Sequence, residues 1–205
     1  MKRKLLALLL VLVGLGIICY PTARDMYYEY QQRKLTAEWL ASLEQLDVEP
    51  AQAPEENEAP DSQAAPAPVI DLTKEMEGLL IIDKIRLRVP ILPGITKRNL
   101  DLAVASVEKT GKPGQEGNYV IAGHNSRTYG LLFNRLDELT IGDKIVVQCK
   151  DSTYTYKVTE SVIVQPDEVQ ILLPEGNKKQ ITLVTCDYSV PKPYLRLIVK
   201  GELIE

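Results

Sequence analysis

Sixteen consecutive apolar or small residues, Leu5 to Tyr20, follow Lys2, Arg3 and Lys4. The run is short for a hydrocarbon layer about 30 Å thick, but Lys4 and Tyr20 can reach the interfaces and the bilayer can thin. The pattern predicts a single membrane-spanning signal anchor over residues 1–24. A cleaved signal peptide fits less well, because no small-x-small site follows the run. A lipidated cysteine at Cys19 is disfavoured by the bulky Ile17 and Ile18 before it. The basic cluster ahead of the apolar run predicts that the N-terminus stays inside and the remainder lies outside the membrane.

The pattern then changes period. Leu35, Trp39, Leu43 and Leu46 recur at spacings of four, four and three, a narrow apolar stripe that predicts a membrane-proximal helix over residues 25–48. Such a helix could lie on the membrane, pack on a domain, or serve as a plain spacer. Residues 49–72 predict an extended linker, because Glu49 to Pro68 hold Pro50, Pro54, Pro60, Pro66 and Pro68 with five acidic residues.

From residue 73 to 205 the alternation is mostly that of strands. Candidates are Gly78–Ile82, Arg86–Ile91, Asn118–Ala122, Lys144–Cys149, Thr153–Gln165, Gln180–Thr185 and Tyr194–Leu203, rich in Val, Ile, Thr and Tyr and bounded by turn residues. Short helices are expected near Thr96–Ala105 and Tyr129–Leu139; in the second, Phe133, Leu136 and Leu139 share a face. Many short strands with few helices predict an all-β domain, a closed barrel or a sandwich. A barrel is preferred because closure removes exposed edges.

Composition changes this picture little. The 205 residues are 45% hydrophobic, enough for one domain with a core. A formal charge of −4 and a pI near 5.3 argue against nucleic-acid binding. The acidity belongs to the linker: without the five acidic residues of Glu49–Pro68 the balance is +1.

Three residues could carry chemistry. His124, the single histidine, stands just beyond the apolar strand Tyr119–Ala122. Taken by itself it could be structural, and no zinc site is expected from one His and scattered cysteines. Cys186 ends the apolar run Ile181–Thr185, where a strand can hold an exposed thiol in place; a thiolate attacks a peptide carbonyl and a nearby imidazole can move the proton. A buried strand-end cysteine is the alternative. Cys149 alternates with Ile145 and Val147 and reads as a small buried hydrophobe. Arg196 lies on the opposite face of its strand from Leu195, Leu197 and Val199; a guanidinium suits an oxyanion, and an ordinary surface arginine is the other reading.

Taken together, Ala122-Gly123-His124, Thr182-Leu183-Val184-Thr185-Cys186 and Arg196 followed by Leu197-Ile198-Val199 resemble the signature of the sortase family. Phe133–Leu139 leading to Gly142-Asp143, and Pro166-Asp167 ahead of the Cys strand, are similar to that family as well. The resemblance covers roughly Glu77 to Ile204. It implies a closed eight-stranded β-barrel behind an N-terminal anchor, one strand more than periodicity reveals. It also implies catalysis by His124, Cys186 and Arg196, with Thr185, Val184 and Tyr194 as candidate substrate-binding residues.

The implied reaction cleaves a Leu-Pro-x-Thr-type C-terminal sorting signal on surface proteins and passes the acyl group to an amine of a peptidoglycan precursor. Within the family the chain looks most like class D, with class A second. The pilin-polymerising group is disfavoured because no Asp-Pro-aromatic lid is present and the sequence stops after the last strand. A helix inserted before the Cys strand has too little room between Val164 and Gln180. No cofactor is expected. The calcium that some class A members bind is disfavoured by Lys109 and Lys112 in Glu108–Glu116, where acidic ligands would be needed. The rival readings are a membrane-tethered Cys/His hydrolase, which usually places Cys before His, and a non-catalytic surface β-module.

Overall fold

The structure, a computed structural model, describes residues 2–46, 75–126, 128–190 and 194–205. The linker expected at 49–72 lies outside these residues.

Eight strands close into a barrel: β1 Gly78–Ile82, β2 Leu87–Pro93, β3 Val104–Ser106, β4 Gly117–Ala122, β5 Lys144–Gln148, β6 Thr153–Val164, β7 Lys179–Asp187 and β8 Leu195–Leu203. Their order around the barrel is β1-β2-β3-β4-β7-β8-β6-β5, with β5 returning to β1. Two neighbours, β2/β3 and β4/β7, are parallel; the others are antiparallel. A parallel pair needs a crossover. For β2/β3 it is the short helix α2, Lys97–Leu102, whose first turn is capped by Thr96 Oγ1 accepting from the Asn99 N–H at 3.1 Å. For β4/β7 it is the whole β5–β6 excursion. That parallel pair decides the site, because it places the C-terminal ends of β4 and β7 on one rim.

Alternation sets the inside of the barrel. Tyr119 and Ile121 on β4, Ile181 and Leu183 on β7, and Leu197 and Val199 on β8 are buried in one core with Leu79, Leu80 and Phe133. The intervening even-numbered residues of these three strands face outward. On the twelve-residue β6 a register shift between Val158 and Glu160 lets one strand serve both β5 and β8.

Two sequence expectations need correction. The missed strand is β3, which overlaps the end of the helix expected at Thr96–Ala105. That helix stops at Leu102, and Val104–Ser106 extends to bridge β2 and β4. Tertiary pairing there overrides a helical spacing. The helix expected at Tyr129–Leu139 is a turn followed by a 3-10 helix, Leu136–Glu138. Gly130 (φ 83°) and Leu132 (φ 54°) are left-handed, which no α-helix tolerates. Phe133, Leu136 and Leu139 are buried together all the same.

At the N-terminus one of the open alternatives is realised. The anchor and the membrane-proximal helix are one continuous helix, α1, Lys2–Leu46, with Pro21 inside it. Leu35 and Trp39 are 7% and 6% exposed and join the barrel's apolar core with Met76, so this part of α1 is docked rather than a free spacer. It lies against β2 and α2. Leu9, Leu10, Val11 and Leu12 stay exposed, and among the described residues α1 is the one helix long and apolar enough to cross a membrane.

Candidate active site

β4 pairs with β7 in a register that runs to Ala122↔Val184. His124 and Cys186 each lie two residues further along, so the same register carries both to the rim. The pairing continues past the strands: the Gly123 N–H donates to Val184 O at 3.0 Å, and Thr185 Oγ1 donates to Gly123 O at 2.8 Å. β8 runs antiparallel to β7, and Cys186 is the direct partner of Arg196. Directly opposed residues present side chains on the same face. Cys186 and Arg196 therefore stand together on the outward face.

Local contacts fix His124. Its carbonyl accepts from the Phe133 N–H at 3.0 Å, and Asn125 forms an antiparallel bridge with Leu132. The left-handed Leu132 turns the chain back for this. Asn125 Nδ2 also donates to the Cys186 carbonyl at 2.9 Å, tying the segment after His124 to the end of β7. The imidazole is half exposed, and its Nε2 is 3.9 Å from Asp101 Oδ1 on α2. That distance is an ion-pair contact when His124 is charged, and too long for a hydrogen bond.

Gly123 faces the interior. A Cβ there would stand 2.7 Å from Phe133 Cδ2 and 2.9 Å from Val104 Cγ1. The residue before His124 must be glycine for packing reasons.

Arg196 is held from its own strand. Its Nη1 donates to Tyr194 O at 2.9 Å and to Leu195 O at 3.2 Å. Of the other residues the sequence singled out, Val184 is half-buried on the outward face, two residues before Cys186. Thr185 is 3% exposed and points inward to Gly123. Tyr194 is half-buried and packs edge-on against Tyr188, ring centres 4.7 Å apart.

The β6–β7 connection is tied down across the same outward face. Asn118 Nδ2 donates to Leu172 O at 2.8 Å, and Thr182 Oγ1 donates to Asn118 Oδ1 at 2.8 Å. Buried Lys200 pairs with Glu175 at 2.8 Å and holds its carboxyl below the usual carboxylate range. Residues 118, 182 and 200 are all even-numbered, so the connection walls the face that ends at Cys186 and Arg196.

All three cysteines are free. Burial, then the negative charges of Glu77 and Asp151, push the Cys149 thiol up to about 11, which keeps it protonated and inert at neutral pH. Cys19 belongs to the apolar run of α1. Cys186 is thus the one thiol that combines a strand-fixed position with a neighbouring guanidinium and imidazole.

Residues 80–204 match the family model described as a sortase domain. The chain belongs to the sortase family. It is 32% identical to Sortase A of Bacillus anthracis over 203 residues, covering 98% of this chain and 93% of that protein. It is 28% identical to Sortase D of Bacillus subtilis, with 56% of each chain covered. Among solved structures, a Clostridium perfringens Sortase D5 transpeptidase superposes with a TM-score of 0.57 at 30% identity, covering 63% of this chain and 79% of that one. The protein is a sortase, a cysteine transpeptidase with an eight-stranded barrel and an N-terminal apolar helix. Asn125 and Asp101 beside His124, and the approach of α1 to the rim, were not singled out from this sortase's sequence. No periodicity marks them, since each acts from a segment that only the fold brings there.

Proposed function

We propose that the sortase cleaves a Leu-Pro-x-Thr-type sorting signal at the C-terminus of surface proteins and joins the new end to an amine of a cell-wall precursor. The carrying observation is the convergence of Cys186, Arg196 and His124 on one rim through the β4/β7 and β7/β8 registers. The Cys186 thiolate attacks the Thr carbonyl of the signal, and Arg196 stabilises the oxyanion that forms. The C–N bond breaks as His124, in its imidazolium form, protonates the departing amine, leaving a thioester and a neutral imidazole. An incoming amine attacks the thioester and gives a proton to His124. The new amide leaves, and thiolate and imidazolium are restored.

Val184 and Tyr194 offer exposed surface to the donor peptide on the Cys186 face. Thr185, buried and turned inward, supports that face from behind. No metal takes part in this proposal: Lys112 Nζ sits 2.7 Å from Glu77 Oε1, so an ammonium already neutralises the carboxylate in the region where calcium would be sought. The apolar part of α1 anchors the protein in the cell membrane, with the barrel outside. Of the two classes, A has the fuller support, because similarity to the B. anthracis Sortase A extends through the N-terminal segment. Class D is supported by the partial B. subtilis match and the C. perfringens structure.

A labelled sorting peptide incubated with the enzyme and an amine tests this. Transfer to the amine is expected; hydrolysis alone would support the Cys/His hydrolase, and no reaction the non-catalytic module. Cys186→Ala should form no peptide adduct, and His124→Ala should lose about 10²–10⁴-fold in turnover. Arg196→Lys keeps the charge but loses the planar fork, so kcat should fall more than KM rises. A peptide adduct on Cys186→Ala overturns the assignment.

A further inference from the structure

A cavity of about 460 Å³ lies between the middle turns of α1 and the start of β2; His124, Cys186 and Arg196 take no part in its lining. Glu29, Gln32 and Arg33 come from α1, and Arg86 and Arg88 flank Leu87 on the barrel side. The charges do not cancel: three guanidiniums face one carboxylate, a balance of +2. Glu29 is taken up by Arg33 at 2.5 Å, whereas Arg86 and Arg88 have no carboxylate partner among the described residues. The barrel fixes the backbone that carries both. Arg86 is left-handed at φ 53° with its N–H on Asp83 O at 3.0 Å, and Arg88 pairs with Ile81 in the β1/β2 register.

Gln32 supplies an independent observation. It is 8% exposed, yet its Nε2 has no hydrogen-bond partner among the described residues. A buried N–H without an acceptor costs free energy that folded chains ordinarily avoid. Two guanidiniums and one amide, all of them donors, are thus left at this cavity without an acceptor.

We propose that this cavity binds a phosphate ester, and that the bound ester fastens α1 to the barrel. The planar fork of a guanidinium suits phosphate oxygens. A tetrahedral phosphate accepts from two elements at once, from Gln32 on α1 and from Arg86 and Arg88 at β2, whereas a carboxylate offers only two coplanar oxygens. The cavity is roomier than a bare phosphate, and the rest of its wall includes Ala37, Leu40, Leu87 and Leu131, an apolar seat for the alcohol part of an ester. With α1 as the anchor, the ligand comes from the water rather than from a lipid headgroup. Gln32 is twelve residues past Tyr20 (32 − 20), about 18 Å along the helix, beyond a headgroup layer about 5–8 Å deep.

The test uses the full chain in detergent at constant ionic strength. Inorganic phosphate and glycerol 3-phosphate are the probes, and chloride and acetate the controls. Binding is read by titration calorimetry and unfolding by Trp39 emission. Both phosphates should bind at a single site and raise Tm, glycerol 3-phosphate at the lower concentration; chloride and acetate should do neither. Arg86→Gln and Arg88→Gln should each weaken binding about three- to tenfold, the loss of one charge-assisted contact partly screened by water. Gln32→Leu separates a ligand role from a packing role. It removes a buried amide that lacks a partner, so without phosphate its Tm should equal or exceed that of wild type, and phosphate should then raise it less. The assignment fails if neither phosphate binds, if acetate binds as tightly, or if both arginine variants keep wild-type affinity. It fails equally if Gln32→Leu responds to phosphate as wild type does. In nanodiscs, replacing phosphatidylcholine by phosphatidylglycerol should leave the affinity for glycerol 3-phosphate unchanged; a loss there would hand the site to the lipid headgroup and overturn a water-borne ligand.

Discussion

Replacing Gly123 by alanine adds a single methyl group at the point where β4 hands over to His124. The new Cβ would meet Phe133 Cδ2 at 2.7 Å and Val104 Cγ1 at 2.9 Å, closer than carbon atoms pack. Phe133 is 1% exposed and Val104 0%, so neither can swing into solvent; the backbone must move instead. Overpacking of this kind costs about 1–3 kcal/mol. For a chain of this size each kcal/mol lowers Tm by about 2–4 °C, giving a drop of about 2–12 °C. The movement is delivered to the Gly123–Val184 and Thr185–Gly123 hydrogen bonds that register His124 against Cys186. A displacement near 1 Å can cost about 100-fold in rate, so kcat should fall at least tenfold.

Phe133→Leu removes the obstructing ring, and the double variant should recover part of both losses. A coupling of about 0.5–3 kcal/mol between the two positions is expected from thermal or urea unfolding. Strictly additive effects, or a Gly123→Ala enzyme with wild-type Tm and kcat, would refute the steric argument.

Trp39 is the single tryptophan, so its emission reports docking of α1: blue-shifted in the folded protein and red-shifted on unfolding, with water-like emission before unfolding as the contrary result. A fragment of residues 75–205 should still unfold cooperatively but at a lower temperature than the full chain, because a docked tryptophan alone hides about 150–250 Å²; equal midpoints would mean that α1 contributes nothing. Burial acts to raise the Glu77 pKa, but hydrogen bonds from Lys112, Tyr119 and Ser106 outweigh it and the net shift is downward. A depressed carboxyl stabilises the fold above its unfolded value of 4.5, and that contribution is lost as pH falls through the folded value. Lys112→Met should therefore raise the acid-unfolding midpoint, and an unchanged midpoint would remove Lys112 from the account. In alkylation followed by mass spectrometry, Cys186 should react well before Cys149, whose thiol stays protonated up to about pH 11; the reverse order would contradict the burial of Cys149.

Local pattern was a reliable guide wherever one period ran long enough. The alternation Tyr119–Ala122 and Ile181–Thr185 located β4 and β7, because half-buried strands must place apolar residues on every second position. The same alternation put Arg196 on the outward face of β8, since Leu197 and Val199 had to go in. The unbroken apolar run Leu5–Tyr20 announced its helix, and Leu35 and Trp39 an apolar stripe, though not whether it docks or on what surface. β3 escaped notice because three residues carry too little period to outweigh the helical spacing ahead of them. The Tyr129–Leu139 segment misled because its apolar spacing suits a helix, whereas the left-handed Leu132 is imposed by the distant need to return Phe133 to the His124 carbonyl. Nor could spacing along the chain bring His124 and Cys186 together across 62 residues. That meeting depends on β4 and β7 being parallel neighbours. Strand order and direction are settled by barrel closure, a property of all eight strands at once, and so are the placement of Asn125 on the Cys186 carbonyl and of α1 beside His124.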